Sequence, residues 1–303
     1  MIHQAFSLFF LIMLLVAGSD FARPRPQNDD QLFEFGTAEK HSKTPHALTE
    51  FTAVTYNIRW RTGNELQQIA DWIKKRDRVA IIALQEVDRR KQRSGKTNNA
   101  RALADRLGMY YAWAAPPSPT RDKEEDTGVE LLSPYPLSDI KRIVLPHKGP
   151  GGRARVALGA TMKVGNATIR TYSVHSETRI PVSEKLDQLR AVLDDLACLP
   201  KTMPAVVMGD FNSWEPQTVA AVSELFSREG FSTPFADDEP TFKRSAIVFD
   251  VQLKLDWIWL RGLTAKSSGI DRSITVSDHF PLSVTLISPV ADRRSGSPNE
   301  QSP

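Results

Sequence analysis

Between residues 51 and 286, short β-rich runs alternate with helical patterns, and this alternation restricts the chain to folds that stack strands and helices in layers. The β-rich runs cover 52–56, 79–84, 129–132, 156–164, 167–174, 205–208, 256–260 and 280–287. Helical periodicity falls at about 65–75, 98–107, 183–196 and 217–228. The fourth and fifth runs are separated only by Gly165-Asn166, turn chemistry that closes a hairpin, so part of the sheet is antiparallel. A mixed α+β sandwich follows, and no internal repeat or linker divides it.

The chain has 303 residues, which one two-sheet sandwich with covering helices can use as a single unit. Hydrophobic residues make up 41% and charged residues 25%, as in ordinary soluble domains. A net charge of +3, from 39 basic and 36 acidic residues, is too small to single out nucleic acid as the partner and suits any phosphate-bearing substrate. The apolar run 6–17 is short for a membrane span and leads into Ala17-Gly18-Ser19. Residues 1–22 therefore read as a signal peptide of a secreted or periplasmic protein, with an uncleaved N-terminal anchor as the alternative. Residues 23–48 read as a flexible lead-in, 49–287 as the folded domain and 288–303 as a disordered tail. Cys198, the single cysteine, cannot form an internal disulfide and lies in a helical pattern, where it reads as a small buried hydrophobe. Asn166-Ala167-Thr168 is a glycosylation sequon.

Several of the β-rich runs end in residues suited to metal or phosphate chemistry. Phosphate esters resist hydrolysis because their anionic centre repels a nucleophile, so a catalyst must neutralise oxygens, orient a water and stabilise the leaving group. Hard divalent cations do this from oxygen ligands. Glu86, at the end of the run 79–84, is the first candidate ligand, and Asn57 could supply an amide oxygen or orient Glu86. In Gly209-Asp210-Phe211-Asn212 the glycine permits a tight approach, and the two-residue spacing can turn Asp210 and Asn212 to one side. Asp278 and His279 stand side by side before the last run. Taken singly, each has a bland alternative: a capping amide, a solvated carboxylate, an Asx turn or a core histidine.

Taken in order, the motifs Asn57, Gln85-Glu86, His175, Gly209-Asp210-Phe211-Asn212, Asp256 and Ser277-Asp278-His279 resemble the endonuclease/exonuclease/phosphatase superfamily. That superfamily comprises metal-dependent phosphoesterases, among them DNase I, AP endonucleases of the exonuclease III type, inositol polyphosphate 5-phosphatases and neutral sphingomyelinases. The resemblance runs from about Phe51 to Leu286. It implies a four-layer αββα sandwich of two packed mixed β-sheets flanked by helices, with the active site at one edge. It implies Mg²⁺ or Mn²⁺ held by Glu86, Asn57 and Asp278. Asp210 would orient or deprotonate the attacking water, Asn212 would hold a phosphate oxygen, and His175 would hydrogen-bond the scissile phosphate. His279, buttressed by Asp256, fits two roles, a neutral general base or a protonated clamp on the transition state, and Asp210 competes for the first.

The chain also departs from the family pattern. Ser176-Glu177 follows His175 where leucine is usual, and Val129 replaces an asparagine that faces substrate. Tyr135 reads as structural. Arg153 and Arg155 could clamp a phosphate or simply solvate a strand end. The basic stretch 89–96 could track a phosphate backbone, although no aromatic residue interleaves it. The expected partner is a phosphate ester, with DNA or RNA as the first choice and a phospholipid or small phosphodiester as the second. A non-catalytic binding module is the reading from another class, and the complete hydrolytic set argues against it. Export leaves peripheral membrane contact open, and no obligate protein partner is indicated.

Overall fold

The computed structural model describes residues 32–41, 48–117, 126–245 and 250–288. The expected signal peptide, and the expected tail apart from its first residue Ser288, lie outside these residues. Two sheets pack face to face. The larger has the order β1-β4-β5-β3-β2-β14-β13, built from β1 (Phe33–Thr37), β2 (Glu50–Asn57), β3 (Val79–Arg89), β4 (Tyr110–Ala114), β5 (Asp126–Ser133), β13 (Thr264–Ile270) and β14 (Leu282–Ile287). The smaller has the order β12-β9-β8-β7-β6, from β6 (Leu137–Gly149), β7 (Arg153–Val164), β8 (Ala167–His175), β9 (Ala205–Asp210) and β12 (Asp256–Arg261). β2 runs parallel to β3 and β8 parallel to β9, while the other pairings are antiparallel, so both sheets are mixed. A small hairpin joins β10 (Phe242–Ser245) to β11 (Asp250–Leu253).

Apolar residues fill three spaces. Leu131, Leu158, Met208, Ile258 and Val284 meet between the sheets. Leu66, Ile69 and Ile73 of α1 (Gly63–Lys74) and Leu103 of α2 (Asn99–Leu107) pack on the outer face of the large sheet. Leu189 and Leu193 of α3 (Val182–Ala197) and Val222 and Phe226 of α4 (Pro216–Arg228) cover the small sheet. Those layers are the expected αββα sandwich, and among the described residues the helices match the periodic segments. The hairpin at Gly165-Asn166 also forms, pairing Val164 with Ala167 and, further along, Val156 with His175. Its exposed Asn166 leaves the sequon accessible.

Three expectations change. β1 pairs with β4 and joins the large sheet, so part of the segment read as a flexible lead-in belongs to the folded unit. β3 does not stop before Glu86 but continues to Arg89. Cys198 lies past the end of α3 and is exposed, because the apolar stripe ends at Leu196. At Gly209 the crossing of β8 and β9 is so close that a Cβ would sit 2.0 Å from the Val174 carbonyl oxygen, and φ is 144°. No side chain fits there, which explains the glycine before Asp210.

Candidate active site

The site lies where the ends of β2, β3, β8, β9 and β12 converge with the loop before β14. Glu86 occupies a β-bulge: pairing with β5 slips between Gln85 and Val87, and Glu86 takes a positive φ of 57°. Bulges re-aim side chains, and this one turns Glu86 out of the sheet alternation. Its Oε2 is buried without a hydrogen-bond partner. The expectation that strand rigidity fixes Glu86 is met by a different device, since the strand passes through it.

Asp210, almost fully buried, is the hub. Asn57 Nδ2 donates to its Oδ2 at 2.9 Å, and the backbone N–H of Asn212 donates to its Oδ1 at 2.9 Å. His175 Nε2 lies 3.6 Å from Asp210 Oδ2 and 4.0 Å from Glu86 Oε1. His279 Nε2 approaches Asp210 Oδ2 from another side at 3.8 Å, while its Nδ1 is 2.9 Å from Asp256 Oδ2. Asp256 is positioned in turn by Thr241, whose Oγ1 accepts from the amides of Leu255 and Asp256, both at 2.9 Å. The ring of Phe242 meets His279 edge-on at 5.0 Å between centroids. Ser277 Oγ donates to the Asn57 carbonyl at 2.8 Å, which ties the His279 loop to the end of β2.

Burial and charge set three different proton affinities. Burial alone would strip the proton from His279, but the carboxylates of Asp256 and Asp210 and the Asp256 hydrogen bond outweigh it and raise its pKa. His175 is held well below the ordinary imidazole value by burial and then by the Arg155 guanidinium, so it is neutral. Burial lifts Asp210 above the usual carboxylate range, against the opposing pull of His279, and Asp256 raises it further. Of the two roles open to His279, the protonated one fits this surrounding. Asp210 is then the group suited to receive a proton.

Asn212, at φ 49°, donates through Nδ2 to the Ser176 carbonyl at 3.0 Å and keeps a second amide hydrogen for another acceptor. Asp278 is drawn aside on one oxygen by Arg59, whose Nη1 is 2.8 Å from Oδ2, and its Oδ1 is buried without a partner. Ligand atoms of Asp210, Asp256 and His279 lie within 4.8 Å of one another, close enough to share an ion. Yet the imidazole of His279 and Asp256 are already engaged with each other, and a protonated ring is no metal ligand. The unpartnered oxygens of Glu86 and Asp278 suit a hard oxygen-seeking cation better.

Sequence reasoning assigned no role to two residues, one of them the Glu177 noted as a departure. Glu177, completely buried, accepts from Arg153 through both of its oxygens and from Arg155 Nε at 3.1 Å. Arg155 in turn places Nη1 2.9 Å from His175 Nε2, so Arg155 is no solvated strand end, while Arg153 is ion-paired and half exposed. Lys185, also buried, donates Nζ to the carbonyls of Glu177, Phe211 and Asn212 and thereby clamps the His175 loop to the Asp210 loop. The hairpin register pairing Val156 with His175 was the available signal, because it carries Arg153 and Arg155 towards the residues after His175. Of the remaining departures, Val129 is buried between the sheets, as is Tyr135. Glu130 beside Val129 is fully buried with both oxygens unpartnered, and burial pushes its pKa well up, so it sits there as a neutral acid.

The model of the Endonuclease/Exonuclease/phosphatase family matches residues 54–279. The chain belongs to that family. Among solved structures it is similar to an endonuclease/exonuclease/phosphatase family protein from Leptotrichia buccalis C-1013-b, at 22% identity and a TM-score of 0.62 over 78% of this chain and 99% of that one. It is also similar to the human Nocturnin catalytic domain with bound sulfate anion, at 18% identity and a TM-score of 0.61 over 84% and 96%. A third is D. rerio TDP2 complexed with single strand DNA product, at 15% identity and a TM-score of 0.60 over 80% and 100%. At these identities the likeness is one of fold. No curated protein sequence matches the chain significantly.

Proposed function

We propose that this family member is a divalent-metal-dependent phosphoesterase that hydrolyses a P–O bond by in-line attack of water, with nucleic acid as its first-choice substrate. The observation that carries the reading is Asp210, a buried carboxylate of raised pKa held by Asn57 and Asn212 and faced by a neutral and a protonated histidine. Asp210 takes the proton of the attacking water as the new oxygen–phosphorus bond forms and the opposite P–O bond breaks, and the leaving oxygen departs with the electron pair and takes a proton from solvent. His279, kept cationic by Asp256, donates to the phosphoryl oxygens as negative charge builds on them. The free amide hydrogen of Asn212 and neutral His175 orient the same group. Glu86 and Asp278 would hold the cation with Asn57 nearby, although Asn57 Oδ1 already accepts from the Arg59 amide at 3.0 Å. Bound there, Mg²⁺ or Mn²⁺ supplies Lewis-acid neutralisation of the phosphate. The nucleic-acid preference draws support from the single strand DNA product in the TDP2 structure, a protein of the same fold.

Two measurements test this. Calorimetric titration with Mg²⁺ and Mn²⁺ should show binding that Glu86→Gln weakens about tenfold or more, as loss of a carboxylate ligand does. Turnover with each metal should be measured on single-stranded DNA, RNA, bis-p-nitrophenyl phosphate and sphingomyelin, with chelator as control. Cleavage of nucleic acid that chelator abolishes supports the proposal. Cleavage confined to the lipid moves the protein to the phospholipid reading, and no cleavage of any ester overturns phosphoesterase activity.

A further inference from the structure

A cavity of about 420 Å³ opens beside the proposed hydrolytic centre, and Glu86, His175 and Arg155 form its wall on that side. It is also lined by Trp60, Lys91, Arg93 and Arg153. The tryptophan and the basic loop lie far apart in sequence, which is why the stretch 89–96 reads as lacking an aromatic partner. In the fold they are stacked: the Arg93 guanidinium carbon lies 4.0 Å from the centre of the Trp60 ring. Arg93 is itself fixed, donating Nε and Nη2 to the two oxygens of Asp88 at 2.7 and 2.8 Å and Nη2 to Thr127 Oγ1 at 2.9 Å. The Arg59 guanidinium carbon lies farther off, 5.6 Å from the ring centre, and the indole remains 37% exposed.

The backbone that carries Trp60 is unusual as well. Arg59 and Trp60 both take positive φ, 44° and 62°, conformations that bulky residues adopt only where the surroundings impose them. The Trp60 amide donates to the carbonyl of Glu86 at 3.0 Å. The aromatic platform and the bulge bearing the proposed metal carboxylate are therefore pinned to one another, at a fixed spacing. Charge completes the arrangement. Four cations, Lys91, Arg93, Arg153 and Arg155, line the cavity against the two carboxylates Glu86 and Asp126, and Lys91 has no ion-pair partner among the described residues.

We propose that this cavity is the subsite for a single nucleotide unit, its base stacked on Trp60 and its phosphate met by Lys91 and Arg153. The volume is that of a small-ligand pocket. A double helix is read through grooves from outside and does not enter such a space, whereas an unpaired nucleotide, whose ring has an exposed π-face, does. The shared chemistry is a planar ring joined to a phosphate, from a free mononucleotide or from the end of a single strand. This inference rests on the phosphoesterase reading only in assigning the adjacent centre, and its test involves no turnover.

The test is titration of the full chain in chelator, following tryptophan fluorescence, with adenosine 5′-monophosphate, ribose 5-phosphate, inorganic phosphate and a short single-stranded oligonucleotide. Adenosine 5′-monophosphate should quench a component that Trp60→Phe lacks, and ribose 5-phosphate should not. By calorimetry Trp60→Ala should weaken the mononucleotide about tenfold or more, as loss of one stacked base does. Trp60→Phe should retain most of the affinity, and inorganic phosphate should bind equally to all three proteins. Tighter binding of the oligonucleotide than of the mononucleotide would identify a strand end as the source, and the converse a free nucleotide. Equal affinity for adenosine 5′-monophosphate and ribose 5-phosphate, or indifference to Trp60→Ala, overturns the proposal. Either result leaves the hydrolysis assays standing on their own.

Discussion

His279→Ala is expected to lower kcat on whichever ester the protein cleaves by a factor of about 10² to 10⁴, the range for loss of a positioned proton donor or charge clamp. The reason is that His279 does nothing structural that alanine would not tolerate at the edge of the core. Its Nδ1 is spent on Asp256 and its Nε2 faces Asp210, so its polar interactions point into the site, and the edge contact with Phe242 is its one ring packing among the described residues. Asp256→Asn should cost a comparable factor, since it removes the first of the charges that keep the imidazole protonated. The double variant should be scarcely slower than the worse of the two single variants, because residues that act as one unit do not lose activity additively. Additive losses in kcat would mean that Asp256 acts on substrate or metal independently of His279. A rise in KM with kcat intact in His279→Ala would reduce the histidine to a binding contact.

Most interior strands were readable because burial on both faces demands continuous apolar runs: Val79–Arg89 and Ala205–Asp210 are buried along almost their whole length. Of the edge strands only β12, buried along almost its whole length, was read. β1, β6 and β13 each have one neighbour and one open flank, so their sequences carry the glycine, lysine and exposed polar residues that an edge tolerates and that blunt the β signal. In the site, the residues at strand ends could be picked out by kind and order, since Asn57, His175 and Asp210 close the strands that carry them and Asp256 opens its own. Glu86 was found, but its bulge was not, because one extra residue in a ladder leaves no periodic trace. Trp60 was missed for a different reason: its meaning comes from Arg93 and Glu86, which only the parallel pairing of β2 with β3 brings alongside.

Glu177→Gln should lower the stability of the folded protein by about 3 kcal/mol at pH 7, the lower end of the cost of breaking a buried ion pair by removing one partner. Arg155 is then left largely buried without its counter-charge, while Arg153, about half exposed, recovers part of its solvation. The fold is committed to this carboxylate: Gly149 packs so closely on it that a Cβ there would lie 2.4 Å from the carboxyl carbon. Burial works to raise the pKa of Glu177, but the hydrogen bonds from Arg153, the charge of Arg155 and the amide of Arg179 overcome it and hold the value at about 2. A carboxylate whose pKa falls on folding stabilises the protein fully above its ordinary value of 4.5, and that contribution is lost as pH falls through about 2. Urea unfolding of the two proteins between pH 7 and pH 2 should therefore show a gap that is widest at neutral pH and closes below pH 4.5. A gap that persists unchanged at low pH would mean that glutamine costs the fold through packing and not through charge. Because Arg155 also touches His175, the same variant should lower activity at temperatures where it is still folded, which links the stability of this ion pair to the orientation of the histidine it supports.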